Sequence, residues 1–291
     1  MPPSRLFCFG LGYSARRFAI DLMKKGWQVA GTAREDEGVE ELKSLGIDAA
    51  PFDRDHPVKD LESRLLATTH LLSSVPPDAV GDPVLDIHGI ELSKFASSLD
   101  WIGYLSTTGV YGNRDGGWVK EGDGLEPTSD RARYRSQAEA RWLNLGAHAF
   151  RLAGIYGPGR NVLEDVRKGR AKRIDKKGHV FSRIHVDDIA NVLKASIARP
   201  DPGTLYNVCD DEAAPPMDVV SHACELLKVT PPPVQAFEDA EKEMTAMGRT
   251  FWVDNKRVDN SRIKEDLGVK LLYPGYRQGL RAILEEEVSR P

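Results

Sequence analysis

Cysteine is scarce in this sequence. Three occur in 291 residues, Cys8, Cys209 and Cys224, and no two share a short spacing. That excludes a zinc site built on paired cysteines and a disulfide framework, and it suits a reducing compartment. Cys8 lies in the apolar run "LFCF" (6–9) and reads as a small core residue. Long apolar runs are missing as well, since nothing approaches the ~20 residues of a membrane span. The chain passes from "MPPSR" straight into a strand-like run, which leaves no room for a secretory leader. The expected compartment is the cytoplasm. No charge of one sign dominates: 40 Lys and Arg stand against 44 Asp and Glu, a net charge of −4. Nucleic acid and membrane surfaces call for a strong basic excess or stripe, so neither is an expected partner. A local basic run, "RKGRAKR" (167–173), reads as solvated surface.

What is present is alternation. "LFCF" (6–9), "WQVAGTA" (27–33), "IDAAPF", "THLLSS", "WIGYLS" and "AHAFRLAG" (147–154) read as strands. Amphipathic stretches at 13–25, 36–45 and 82–99 read as helices between them. Strands alternating with helices imply right-handed βαβ units and a parallel sheet covered on both faces. After about residue 155 the alternation gives way to short elements and proline punctuation, which reads as a smaller lobe. Two segments return to the sheet pattern. "IHVDDIANVLKASIA" (184–198) reads as a strand end and a helix capped by Asp187 or Asp188, and "TLYNV" (204–208) as a strand. The expected division is 1–154 and 155–291.

"FCFGLGYSARR" (7–17) sets Gly10, Gly12 and Ala15 as G-x-G-x-x-A between the first strand and the first helix. Gly10 permits the tight turn, Gly12 lets backbone approach a pyrophosphate, and Ala15 lets the helix pack close to the sheet. At the first βα turn of a βαβ chain this pattern points to a dinucleotide cofactor. An acid at the end of the second strand would mark NAD, through the ribose 2′-hydroxyl. Here Ala33 is followed by Arg34, whose guanidinium suits a 2′-phosphate, so NADP is favoured over NAD. Asp53, after the third strand, is placed either to accept from the adenine amino group or to cap the turn "DRD".

Several further stretches, taken in order, resemble the extended short-chain dehydrogenase/reductase family of NAD-dependent epimerases and dehydratases. They are "STTGVYG" (106–112), "RLAGIYGPGRN" (151–161), "IHVDDIA" (184–190), "LYNVCDDE" (205–212) and the C-terminal "NKRVDNSRIKEDLGVKLLYPGYRQGL" (255–280). The resemblance implies a Rossmann-type α/β fold, a doubly wound parallel sheet with a smaller C-terminal substrate lobe. It implies hydride transfer between a nicotinamide and a small-molecule substrate. It places Tyr13, Ser14, Ser74, Arg151, Gly154 and Ile155 at the cofactor, and Thr107 at the catalytic hydroxyl position. Thr108, Tyr156 and Trp118 would line the substrate, and a homodimer would form through two helices flanking the sheet.

The family's catalytic pair is Tyr-x-x-x-Lys, the Lys lowering the phenol's pKa. "YRSQA" (134–138) has the Tyr but puts Ala138 where the Lys belongs. A second register fits better. The family commonly carries Pro-x-Ser-x before the Tyr and a Glu eight residues after it. Here "PTSD" (127–130) precedes Arg131, and Glu139 follows eight later, so the pair becomes Arg131 and Arg135. Tyr134 then falls on a stripe with Ala138, Trp142 and Leu145, a core-facing pattern. Arginines stay protonated and cannot replace a titrating phenol. Two of them one helical turn apart can clamp a phosphate or carboxylate, or can simply be solvated. Tyr111, Glu121, Asp123 and His185 are weaker candidates for proton transfer, each with a structural or solvated reading beside it. Two functions therefore stand: an NADP-dependent oxidoreductase or epimerase-like enzyme with an atypical site, acting on a small anionic or nucleotide-sugar-like substrate, and a dinucleotide-binding sensor that has lost its catalysis.

Overall fold

The computed structural model describes residues 4–289, so residues 1–3, part of the segment weighed for a leader, lie outside it. Seven strands form the central sheet: β1 (Arg5–Phe9), β2 (Gln28–Ala33), β3 (Asp48–Pro51), β4 (His70–Ser73), β5 (Trp101–Thr107), β6 (His148–Leu152) and β7 (Leu205–Val208). Their spatial order is β3-β2-β1-β4-β5-β6-β7. β1 pairs in parallel with β2 and β4, β2 with β3, and β4 with β5. β1, β4 and β6 are buried along almost their whole length, because helices cover both faces of a parallel sheet. The helices are α1 (Tyr13–Met23), α2 (Asp36–Ser44), α3 (Leu61–Leu66), α4 (Pro83–Phe95) and α5 (Asp130–Asn144). The strand order reverses between β1 and β4, the crevice where open α/β sheets bind ligands.

The fold class is thus the doubly wound parallel sheet expected from the alternation of elements. The short helix α3 had no clear sequence signal. At six residues it is shorter than one hydrophobic period needs to declare itself. One core cluster packs Phe7, Phe9, Phe52, Leu71, Tyr104 and Trp142. Asp82 accepts from Leu85 N (3.0 Å), capping α4, and from Trp142 Nε1 (2.9 Å), which joins α4 to α5.

The chain divides into two compact units that interleave in sequence. One holds the chain through Thr107 with Asp130–Arg151 and Ile189–Tyr206; the other holds Thr108–Ser129, Leu152–Asp188 and the chain from Asn207 on. A single cut at 154/155 describes this only coarsely, because strands and helices from the second half return to the sheet. Within the second unit three short parallel pairs occur: Gly154–Tyr156 with Arg183–His185, Arg173–Asp175 with Val234–Ala236, and Trp118–Val119 with Arg257–Val258. Asp188 does not cap its helix as expected. It is fully buried and accepts from Leu272 N (2.7 Å) and Tyr273 N (3.0 Å), pinning the segment before the last helix. The basic run is neutralised locally by Arg167–Glu287, Lys168–Glu164, Arg170–Asp165 and Lys172–Glu243, which fits a solvated face. Among the described residues no helix is long and apolar enough to cross a membrane.

Asp210, also in the second unit, is 3% exposed, and its Oδ2 has no hydrogen-bond partner among the described residues. Burial pushes its carboxyl up to about 8, against the pull of Arg183. In the unfolded chain an Asp titrates near ~3.9. Between that value and the folded one, the folded state holds a proton that the unfolded state has lost, so stability falls as pH rises through this window. Asp210→Asn is therefore expected to flatten the pH dependence of the thermal midpoint and to raise that midpoint at pH ~8. Parallel curves for the two proteins from pH ~5 to ~8 would contradict this.

Candidate functional site: a glycine turn and a helix face

Gly10 adopts φ +79°, and a Cβ there would lie 3.0 Å from Val75 Cγ2, so both backbone and space require glycine. The turn is braced from two sides. Gly10 N donates to Thr32 Oγ1 (2.9 Å), Leu11 N donates to Thr32 O (2.8 Å), and the Ser74 hydroxyl donates to the Gly10 carbonyl. Ser74, expected at the cofactor, thus acts on the loop. Thr32 was not singled out from the sequence; its only signal was a hydroxyl at the end of the strand beside the glycine turn. Gly31 also has a role the sequence did not announce. A Cβ there would lie 2.5 Å from the Cys8 carbonyl, so its bareness sets how closely β1 and β2 approach.

Gly12 is different. A Cβ there would meet nothing within 4 Å, so no protein neighbour accounts for the glycine. It caps α1, whose first turn carries no side-chain cap and no acidic residue. An open helix N-terminus behind a bare backbone fits a pyrophosphate, with Ser14 and Ala15 in that first turn. Ala15 is 1% exposed and packs under the helix as the motif requires. Arg34 is exposed and makes no hydrogen bond or ion pair among the described residues. Its neighbours Glu35, Asp36 and Glu37 crowd the start of α2 with negative charge. Of the two roles open to Asp53, the turn holds: its Oδ1 accepts from Asp55 N and His56 N, both at 2.8 Å.

On α5, Trp142 stacks on Tyr104 of β5, with ring centroids 5.6 Å apart. Glu139 accepts from Ser106 Oγ (2.6 Å), and Arg135 Nη1 donates to Tyr104 Oη (3.0 Å), Leu105 O (3.0 Å) and Val75 O (3.5 Å). Arg135, Glu139 and Trp142 therefore form the face that meets the sheet. Tyr134 lies roughly 100° around the helix from Arg135. It is half-buried and absent from the core cluster that takes Ala138, Trp142 and Leu145. The expectation that Tyr134 is a core residue is corrected: the first turns of α5 leave the stripe without a partner there. Arg131 is exposed.

Arg151 is not available to a cofactor. It is buried with Glu139, the two side chains 3% exposed, through Nη2–Oε1 (2.6 Å) and Nε (3.1 and 3.2 Å). The Ser106 bond makes this a three-element tie of β5, α5 and β6. Thr107, half-buried, ends β5 just beyond it.

In the second unit the other expected site residues are mostly packed. Thr108 donates to Leu152 O (3.4 Å) and is buried. Gly154 is bare because a Cβ would strike the Phe181 ring at 2.3 Å, and Ile155 sits half-buried beside it. Tyr156 is 8% exposed inside an apolar cluster, with its hydroxyl toward Gly275 O (3.4 Å), and burial pushes its phenol up. It is a core residue, not a substrate contact. Tyr111 donates to Asn207 Oδ1 (2.7 Å), and Glu121 accepts from Asn207 N (2.8 Å), so both are structural. His185 is 2% exposed, with its Nδ1 accepting from Asp187 N (3.2 Å). Trp118 is 61% exposed. A cleft of about 420 Å³ opens in this unit, lined among others by Lys176, His179, Met217, Asp218 and Arg257. Burial pushes the His179 imidazole down to about 4, helped by Lys176 and Arg183.

No protein-family model matches the chain. A solved structure of a functionally unknown conserved protein from Silicibacter pomeroyi DSS is 47% identical, with a TM-score of 0.89, covering 98% of this chain and 99% of that one. The chain belongs to the family of that protein. Protein YeeZ of Escherichia coli K12 is 27% identical over 277 residues, covering 91% of this chain and 94% of its own length. The dTDP-glucose 4,6-dehydratase of Bacillus anthracis, solved with NAD, is 15% identical with a TM-score of 0.76, covering 98% of this chain and 97% of that one. At that identity the likeness concerns the fold alone.

The buried tie sets two stability expectations. Glu139→Ala leaves the buried Arg151 charge without its carboxylate, and it should cost about 3–5 kcal/mol in urea unfolding, most of it recovered when Arg151 is also replaced by Met. Tyr134→Phe removes a phenol with no partner among the described residues and should change stability by less than ~0.5 kcal/mol. A large loss for Tyr134→Phe would return that residue to the machinery.

Proposed function

We propose that the protein binds NADP at the Gly10–Ala15 turn and uses it as an oxidoreductase or epimerase-like enzyme on a small anionic or nucleotide-sugar-like substrate. The observation that carries the reading is the Gly12 backbone, bare without any packing reason, at the head of an uncapped helix beside the strand-order reversal. When bound, a nicotinamide supplies a hydride acceptor or donor. The chain's own part is to seat the pyrophosphate on the first turn of α1, hold the loop rigid through Thr32 and Ser74, and orient a substrate oxygen with the Thr107 hydroxyl. Substrate recognition falls to the face of α5 that carries Arg135. The working compartment in this reading is the cytoplasm.

The choice of NADP rests on Arg34, exposed and without an internal partner. The acids that follow it weigh against a 2′-phosphate, so the test is direct. Titrations should give tighter binding of NADP than of NAD, and Arg34→Ala should weaken NADP by about tenfold while leaving NAD unchanged. Equal affinities in both proteins would remove the preference.

The second reading is a dinucleotide-binding sensor. It is favoured by one observation: the α5 face that meets Tyr104 and Leu105 presents Arg135, where the family resemblance expects a member of the Tyr–Lys pair. A panel of sugar nucleotides, aldehydes and ketones separates the readings. Oxidation of bound NADPH by any of them supports the enzyme, and silence across the panel supports the sensor.

A further inference from the structure

Two arginines in this protein grip a carboxylate through the Nε/Nη2 edge of the guanidinium. Arg54 grips Asp78 through Nε (2.6 Å) and Nη2 (2.8 Å). Arg151 grips Glu139 through the same edge, Nε at 3.1–3.2 Å and Nη2 at 2.6 Å. Arg135 has that edge open. Its Nη1 is fixed by Tyr104 Oη, Leu105 O and Val75 O, and the guanidinium lies 5.6 Å from the Tyr104 ring centroid. Among the described residues its Nε and Nη2 bond to nothing, yet they are not sealed from solvent.

Among the described residues the charge has no counter-ion. Both nearby carboxylates are engaged elsewhere, Glu139 by Arg151 and Ser106, and Asp82 by Leu85 N and Trp142. A half-buried guanidinium anchored on one nitrogen and open along its bidentate edge is pre-organised for an oxyanion. Its place is also informative. Val75, whose carbonyl helps fix it, is the residue whose side chain crowds Gly10, so the guanidinium is anchored at the carboxyl ends of β4 and β5, on the side of the glycine turn. Arg131, exposed one helical turn earlier, has no such anchor among the described residues.

We infer that the Nε/Nη2 edge of Arg135 is the seat of a substrate oxyanion, a carboxylate or a phosphate, held beside the bound dinucleotide. This rests on the NADP reading above and narrows it: one fixed arginine, rather than the Arg131–Arg135 pair, selects an anionic substrate.

The test uses calorimetry on the full chain saturated with NADP, titrated separately with oxalate and with inorganic phosphate. One of the two should bind, and which one identifies the oxyanion. Arg135→Gln should weaken that binding by about tenfold or more. Arg135→Lys should fall between, keeping the charge but losing the fork. NADP affinity should stay within about threefold of wild type in both variants, and Arg131→Gln should leave the anion affinity nearly unchanged. Thermal melts of each variant show that it is folded. If neither anion binds the NADP-saturated protein, the inference fails. It fails equally if Arg135→Gln weakens NADP rather than the anion, which would assign Arg135 to the cofactor. If NADP does not bind the wild type at all, the function proposed above fails first, and the two failures are thereby distinguishable.

Discussion

The buried pair of Arg151 and Glu139 decides what the central sheet can offer a ligand. Two charges taken out of water must meet in good geometry, and here they meet through two nitrogens of one guanidinium, with Ser106 holding a carboxylate oxygen. Because the three residues come from β6, α5 and β5, the tie fixes the rotation of α5 about its axis. Once Glu139 faces the sheet, Trp142 must stack on Tyr104 and Arg135 must reach the strand ends. Tyr134 is turned away by the same geometry.

That rotation has a chemical consequence. A helix face with Tyr and Lys carries a group that can gain and lose a proton near neutrality. The same face with Arg carries a permanent charge and a geometric fork. The glycine turn is braced from β1, β2 and the end of β4, and Val75 is shared between Gly10 and Arg135.

Periodicity and turn chemistry made the sheet legible, because each strand's burial is written in its own residues. The glycine turn was legible because φ above zero and close approach leave few residue types available. The readings that failed concern side chains whose fate depends on segments distant in sequence. Arg151 looked like a cofactor contact until Glu139, twelve positions earlier, proved to hold it. Tyr156 looked like a pocket residue until Gly275 and Gly279, far along the chain, proved to pack on it. Asp188 looked like a helix cap until Leu272 and Tyr273 supplied the amides it accepts.

By itself the sequence determined the parallel α/β architecture and the place of the glycine turn. These are local facts, set by spacing, φ requirements and residue identity. Only the tertiary structure decided which polar side chains are satisfied within the protein and which remain open to a ligand. That question depends on which distant donors and acceptors meet, and the meeting is fixed by packing. Arg151 and Arg135 are both arginines near the strand ends of one sheet. One is closed by a carboxylate and the other keeps its edge open, and nothing in either residue's own neighbourhood in sequence distinguishes them.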